Sequence, residues 1–403
     1  MSALMCLNAG STSLKFALYQ LESKAEPGPR RGPDLTLLCK GQVEGLHQDR
    51  PRFEAFDAQG KALEANLLLP PHLDASHVLG PVLAWLKAQF PALQLQGVVH
   101  RLVQGGERFS QPAFLNDEAL NYLESLSALE PSHQPINVRV ARTLMKADPS
   151  IPQIGCFDTA FHRHMPEVAQ RYAVAPAVHQ AGLVHWGFHG ISYEYLSHEV
   201  KHHWPQARRV IAMHLGGGAS VCAMLDGRSQ DTSMGFGAIT GLPMSTRCGD
   251  VPVDGILYLL RHKHFSLPEL EDLLFKQSGL LGLSQISGDM RTLEAQRDTH
   301  ESAQFAIDFF VYALSKYVAA YAAVLGGVDA LVFSGGMGEK SALVRAALCK
   351  RLAWMGITLD EAANQSHAAC ISPLNNAIKV LVIPTNEEWM MAQDARDLLC
   401  AVK

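Results

Sequence analysis

An α/β fold is predicted by three features of the sequence. Short apolar runs with strand character alternate with helical stretches, the longest at residues 302–325. Turns of small residues follow four of those runs, at 8–13, 104–106, 216–220 and 335–338. Two stretches, 3–20 and 210–226, share a strand, small-residue turn, strand plan, which points to duplication of one α/β module.

Taken in order, "LMCLNAG" reads as a strand entering a turn and "LKFALYQL" as the strand leaving it. "ESKAEPGPRRGPD" is rich in Pro, Gly and charge and reads as a loop. "LQGVVHRLVQGGERF" predicts a strand over residues 95–99, then a Gly-rich turn carrying His100 and Arg101. "PQIGCFDTAFH" is an apolar strand ending at Asp158. "RRVIAMHLGGGASVCAMLDGRS" is a hairpin closed by an Asp226-Gly227 turn. In the 302–325 helix Phe305, Phe309, Ala313 and Tyr317 share an i, i+4 stripe, and Gly326-Gly327 ends it. "VDALVFSGGMGEKS" is a strand running into a glycine loop, and "IKVLVIPTNEEWMMAQDA" a last strand before an acidic helix start.

At 403 residues, two domains are the better expectation. Apolar residues at 48% and charged residues at 18% suit a soluble globular enzyme with a sizeable core. A net charge of −5 argues against a nucleic-acid partner. "MSALMCLNAG" has no charged and then apolar segment, so no signal peptide is expected, and no long uncharged apolar run suggests a membrane span. The eight cysteines are scattered without a C-x-x-C pair, which suits a reducing cytoplasm better than a disulfide framework or zinc site.

Small-residue turns let backbone N–H groups converge on phosphate oxygens, and several in one chain favour a nucleotide ligand over plain turns. "GGMGEKS" is not a Walker A loop, since Glu339 precedes Lys340 where glycine is required, and no G-x-G-x-x-G opens a βαβ unit. Arg101 and Arg247 sit at loop edges, suited either to carboxylate and phosphoryl groups or to surface ion pairs. Asp158 and Glu387 each follow an apolar strand, where they fit either a Mg²⁺ site or the start of a helix. His133 and His189 lie in turn-like settings. Residue types and spacing alone reach a soluble, phosphate-handling α/β enzyme.

In family order from residue 4 to about 395, the runs "LNAGSTSLKF", "HRLVQGGERF", "FDTAFHRHMP", "GFHGIS", "HLGGGASV", "DTSMGF", "TRCGD", "SGLLGLS", "GDMR", "SGGMGEKS", "AWMGITLD" and "VIPTNEE" resemble the acetate kinase family, with its propionate and butyrate relatives. Only residues 21–95 match poorly. The resemblance implies two duplicated actin-like ATPase (ribonuclease H-like) domains with the active site in the cleft between them. Domain I would span 1–155 plus 387–403, and domain II 156–386. It also implies a homodimer and reversible phosphoryl transfer between ATP and a short-chain carboxylate, giving acyl phosphate and ADP.

Position by position, Asn8 and Glu387 match the family's Mg²⁺ positions (Mn²⁺ being an alternative ion), and Lys15 an ATP-contacting lysine beside Ser11 and Ser13. Arg101 is expected to grip the carboxylate and Arg247 the phosphoryl group in flight. Asp158 matches the catalytic acid, but a carboxylate substrate is already ionised at pH 7, so its expected role is to orient the metal. His189 matches a transition-state histidine and His133 a supporting one. Three stretches match the ATP-binding segments: His214, Leu215, Gly216, Gly217 and Gly218; then Asp289, Met290 and Arg291; then Gly336, Met337, Gly338, Glu339 and Lys340.

Several positions depart from the family pattern. Gly217 and Lys340 replace asparagines near the nucleotide, and Gln104 replaces a histidine. Lys340 either adds attraction for phosphate or points to solvent. In the acyl pocket Ser132 and Ala238 stand where leucine and proline touch the substrate methyl, while Val103 and Phe188 keep the apolar wall. Smaller side chains there predict room for propionate, worth about 1–3 kcal/mol per methylene, unless a neighbour refills the space. A nucleotide-binding homologue without turnover is the alternative in another class. The presence of Asn8, Arg101, Asp158, His189, Arg247 and Glu387 together argues against it.

Overall fold

Strand β1 (Ser2–Ala9) buries Ala3, Leu4, Met5, Cys6 and Leu7 on both faces, which only an interior strand permits. In the computed structural model, which describes residues 1–402 except 23–34, 65, 66 and 68, β1 is the central strand of a seven-stranded sheet. All but the first residue of the expected loop at 22–34 lies outside the described residues. β1 pairs antiparallel with β2 (Ser13–Leu21), which continues to β3 (Leu35–Glu44) and β4 (Arg52–Asp57). On its other side β1 runs parallel to β5 (Gln94–Leu102), then β7 (Gln153–Phe157), edged by β6 (Ala113–Phe114).

A second sheet of five strands has the same plan. Strand β8 (Arg209–Leu215) pairs antiparallel with β9 (Ala219–Leu225), which pairs with β10 (Arg228–Thr232). It also runs parallel to β11 (Ala330–Ser334), which neighbours β12 (Lys379–Val382). In the first sheet an antiparallel meander of four strands, and in the second one of three, continues into two parallel strands. The likeness of 3–20 to 210–226 is thus one corner of a duplicated module.

The chain divides into two compact units, Met1–Ala160 with Asn386–Lys403, and Phe161–Thr385. In unit 1 the helix Leu79–Gln89 covers one sheet face, with Trp85 edge-on to Phe16 and Phe53. Leu120 and Leu123 of the helix Asp117–Ser125 pack with Val138 of the helix Gln134–Ala147. The C-terminal helix Glu387–Ala401 returns against β1, β2 and β5. In unit 2 the helix Gly190–His203 packs Tyr193, Leu196 and Val200 on β8.

Three local expectations change. His100 and Arg101 lie in β5 rather than in the turn, because β1 extends the ladder on one side to His100 and β7 on the other to Leu102. Residues 335–340 are not a loop but the short helix Gly335–Lys340. The long helix is Glu301–Leu325, capped by Gly326 in the left-handed region, but the Phe305–Phe309 stripe is not its packed side. Its core face is Ala303, Ala306, Ile307, Phe310, Val311, Leu314, Val318 and Tyr321, while Phe305 is 56% exposed. Among the described residues this helix alone is long and apolar enough to cross a membrane, with mean hydropathy 1.3, and that buried face packs into the unit 2 core.

Candidate active site

Open α/β sheets carry ligands beyond the carboxyl ends of their parallel strands, and unit 1 gathers its charged side chains there. Leu7 pairs with His100 across β1 and β5, so Asn8 and Arg101 stand at the same level. Arg101 pairs with Cys156, and Asp158 follows two residues on. The Arg101 guanidinium donates to Asp158 from Nε at 3.1 Å to both oxygens and from NH2 at 2.8 Å. Its NH1 lies 3.4 Å from a Glu387 carboxylate oxygen. Glu387 opens the helix Glu387–Ala401, whose N-cap Asn386 accepts from the Trp389 N–H.

Asp158 is only 2% exposed. Burial pushes its carboxyl up from the ordinary value while Arg101 pulls it back. Burial also opposes the Arg101 charge, but Asp158 and Glu387 outweigh it and hold the guanidinium above its ordinary value. The bidentate geometry favours the charged pair. Burial and Glu387 likewise push Glu388 up, with Lys15 and Arg101 opposing. Three carboxyls therefore meet two cations.

The remaining unit 1 candidates sit around this centre. Lys15 faces Asn8 across the hairpin, and Gly10 N–H donates to Ser13 O at 2.8 Å to close the turn holding Ser11 and Ser13. Asn137 holds Ala9 O at 2.7 Å. His133 is the N-cap of the helix Gln134–Ala147 and is bonded, with Ser132, to Glu130. A proton on His133 would draw the buried Asp158 carboxyl down. Val103 is buried just past Arg101. Gln104 is fully buried, its side chain accepting from Gly106 N–H and its backbone exchanging two bonds with Gln134, which makes it a fixture of the 104–106 turn.

Unit 2 builds its own set around the β8–β9 turn. His189 begins the helix Gly190–His203 with φ of 57° and reaches Ser220 Oγ through Nδ1 at 2.8 Å. It stacks on His214, with ring centroids 4.3 Å apart, and His214 is held by Ser192. Arg247 NH1 donates to Ala238 O at 2.6 Å. A Cβ on Gly218 would lie 3.4 Å from His189 Nε2 and 3.9 Å from Arg247 NH1. Histidine, arginine and turn glycine therefore converge on one point. Phe188 is buried just before His189.

A cavity of about 410 Å³ opens beside them, lined by the backbone of Gly216, Gly217, Gly288 and Gly336 and by Ser245. Asp289, Met290, Arg291, Met337 and Lys340 complete its wall. Arg291 pairs with Asp289 at 2.6 Å, and Lys340 is exposed at the rim. A Cβ at Gly217 would meet only Ser245 Oγ at 3.7 Å, so space does not require glycine there. Gly338 and Leu215 are buried beneath, and Glu339 accepts from Thr385 N–H at 3.3 Å.

Gly335 has φ of +75°, and a Cβ on it would come within 2.7 Å of Leu215 O. Gly335→Ala is expected to distort this wall at a local cost of about 1–3 kcal/mol. Where this wall holds a nucleotide, as the resemblance implies, the nucleotide's KM should rise about tenfold or more in steady-state kinetics, with a smaller change for the second substrate.

Sequence reasoning missed Glu130, Glu388, Ser220 and Arg345. Arg345 is fully buried and clamps the carbonyls of Gly338 and Glu339 to Asn364. Glu388 was readable from its place beside Glu387 in "NEE". The others carry no local signal.

A metal would need donors of the right kind. Among the described residues no group of three or more His, Cys, Asp or Glu is arranged as a closed metal site. Asn8 and Glu387 offer oxygen donors at strand and helix ends, beside an excess of carboxylate, which fits a hard cation that keeps waters and takes phosphate oxygens.

A sequence model described as the acetokinase family matches residues 3–393. An acetate kinase of Rhodopseudomonas palustris is 42% identical over 97% of this chain and 96% of its own length. One from Methylocella silvestris is 42% identical over 98% and 97%. The Porphyromonas gingivalis acetate kinase structure superposes with TM-score 0.86 at 32% identity, covering 99% of this chain and 100% of that one. A propionate kinase from Francisella tularensis gives TM-score 0.86 at 32% identity, over 98% and 99%.

Proposed function

The chain belongs to the acetokinase family, and from that premise we propose how its residues divide the work. It is an acyl kinase: it transfers a phosphoryl group reversibly between ATP and a short-chain carboxylate, acetate first among them. The observation that carries the residue assignment is Arg101, held bidentate by Asp158 with NH1 turned to Glu387 at the strand ends.

In this reading Asp158 fixes one edge of the guanidinium, and the substrate carboxylate takes the NH1 side. Asp158 thus acts through Arg101, and the metal-orienting role set out above is the weaker assignment. The acid arrives ionised, so no proton moves. A carboxylate oxygen forms the new bond to the γ-phosphorus in line with the breaking bond, and ADP leaves with the electron pair. Arg247 and His189 meet the equatorial oxygens, where developing charge gains most from fixed donors. The turn at 216–218, the 289–291 segment and the helix Gly335–Lys340 hold the nucleotide. Asn8 and Glu387 would hold Mg²⁺ or Mn²⁺, which when bound neutralises charge on the phosphates.

A homodimer is supported by the apolar side chains Phe305, Phe309 and Tyr312 left exposed along one long helix, which a second copy would cover. A cytoplasmic location is supported by the use of ATP and by the cysteines, none of which forms a disulfide among the described residues.

Trapping the acyl phosphate as its hydroxamate, with acetate, propionate and butyrate in turn, tests the substrate reading. Acetate and propionate are expected within about tenfold of each other in kcat/KM, with butyrate lower. A fall of more than about a hundredfold from acetate to propionate would remove the argument that Ser132 and Ala238 enlarge the pocket.

A further inference from the structure

The run "TRCGD" carries Arg247 and, three residues on, Asp250. Residues 241–250 form a loop closed at its base by that aspartate. Gly241 N–H donates to Asp250 Oδ1 at 2.8 Å, and Asp250 N–H donates to Gly241 O at 3.0 Å. Gly249 has φ of +72°, and a Cβ on it would come within 2.7 Å of Gly241 O, so the two arms lie in contact. Near the tip, Met244 N–H donates to Arg247 O at 3.0 Å. The other carboxylate oxygen of Asp250, Oδ2, accepts from the Tyr317 hydroxyl of the helix Glu301–Leu325. Burial and that carboxylate push the Tyr317 phenol above its ordinary value, so it keeps its proton and donates. Asp250 thus ties both arms of the loop to a helix whose buried face packs into the unit 2 core.

Arg247 NH1 donates to Ala238 O at 2.6 Å. The donor rides on one arm, three residues before Asp250, and the acceptor lies three residues before Gly241 on the other. We propose that Asp250 is a positioning residue that closes the 241–250 loop and so sets where the Arg247 guanidinium stands, with Tyr317 as its outer anchor. Its effect runs through the backbone of both arms, whatever else the guanidinium meets. A displacement of about 1 Å at a reacting centre can cost on the order of a hundredfold in rate. Tyr317, expected only as part of an apolar stripe, is the second member of this device. The inference rests on the reading of Arg247 as a group that meets the phosphoryl oxygens in flight.

Opening the loop lowers stability whatever Arg247 does, so unfolding alone is no test. The Arg247 Nε–Hε pair, observed by ¹⁵N–¹H correlation and assigned from its loss in Arg247→Ala, reads the side chain directly. In Asp250→Ala its shift should move and its heteronuclear NOE fall. There kcat should drop about tenfold or more, with KM for the acid little changed. Asp250→Asn keeps an oxygen for Gly241 N–H and gains an amide that donates to the Tyr317 oxygen, and should keep the signal and most of the turnover. Tyr317→Phe removes only the outer anchor, should lower kcat about threefold, and serves if Asp250→Ala does not fold. In the Arg247→Ala background neither change should lower kcat further, because residues acting through one group are not additive. An Arg247 signal unmoved in Asp250→Ala, or in Tyr317→Phe should the alanine variant not fold, overturns the proposal, as do equal kcat losses with and without Arg247. Undiminished turnover in Arg247→Ala overturns instead the role given to Arg247, while the Nε–Hε signal still decides Asp250.

Discussion

Arg101→Ala is expected to lose a hundredfold or more in kcat/KM, roughly the effect of deleting one preorganised donor from a charge-stabilising site, and to unfold at lower temperature. The two losses have different origins. Turnover falls because the substrate carboxylate has no planar donor pair to align it with the γ-phosphorus. Stability falls because Asp158, 2% exposed, is left as a buried carboxylate without its partner. Breaking one side of such a pair typically costs about 3–5 kcal/mol. The double variant Arg101→Ala/Asp158→Asn separates them: thermal unfolding should recover much of the stability, and kinetics should recover none of the turnover. Arg101→Lys keeps the charge without the bidentate fork and should fall between wild type and alanine. Recovery of turnover in the double variant contradicts the role given to Arg101.

Arg247→Ala should also lose on the order of a hundredfold or more in kcat, with little change in KM for the acid. Its stability should change much less. The bond that Arg247 NH1 donates to the Ala238 carbonyl has a neutral acceptor, so losing it costs less than breaking a buried ion pair. A kcat effect with a spared acid KM is the mark of an interaction made chiefly in the transition state. Equal losses in stability for both arginine variants would mean that Arg247 is structural instead.

The parts of the fold and site legible in the sequence are those whose chemistry is local. The turns at 8–13 and 216–220 announce themselves through small residues, and Gly326 through its place at the end of an apolar helix. Reading failed where a partner far along the chain decides the outcome. His100 and Arg101 look like turn residues until β1 and β7 pair on either side of them. Asp158 meets a guanidinium 57 residues earlier, a partner that no local pattern names. The Glu301–Leu325 helix is apolar nearly all round, so spacing alone could not tell the Phe305 side from the Phe310 side. Glu130 had no signal at all, because its bonds to Ser132 and His133 form only in the fold.

The central claim is direct transfer of the γ-phosphoryl group to an oxygen of a carboxylate bound at Arg101. It is tested most directly with acetate carrying ¹⁸O in both carboxylate positions. The acetyl phosphate formed is cleaved by hydroxylamine at its carbonyl carbon, and the released phosphate is weighed by mass spectrometry. The expected result is one ¹⁸O in each phosphate, with ADP as the other product. Label appearing in AMP, or phosphate free of label, would mean that the carboxylate does not attack the γ-phosphorus.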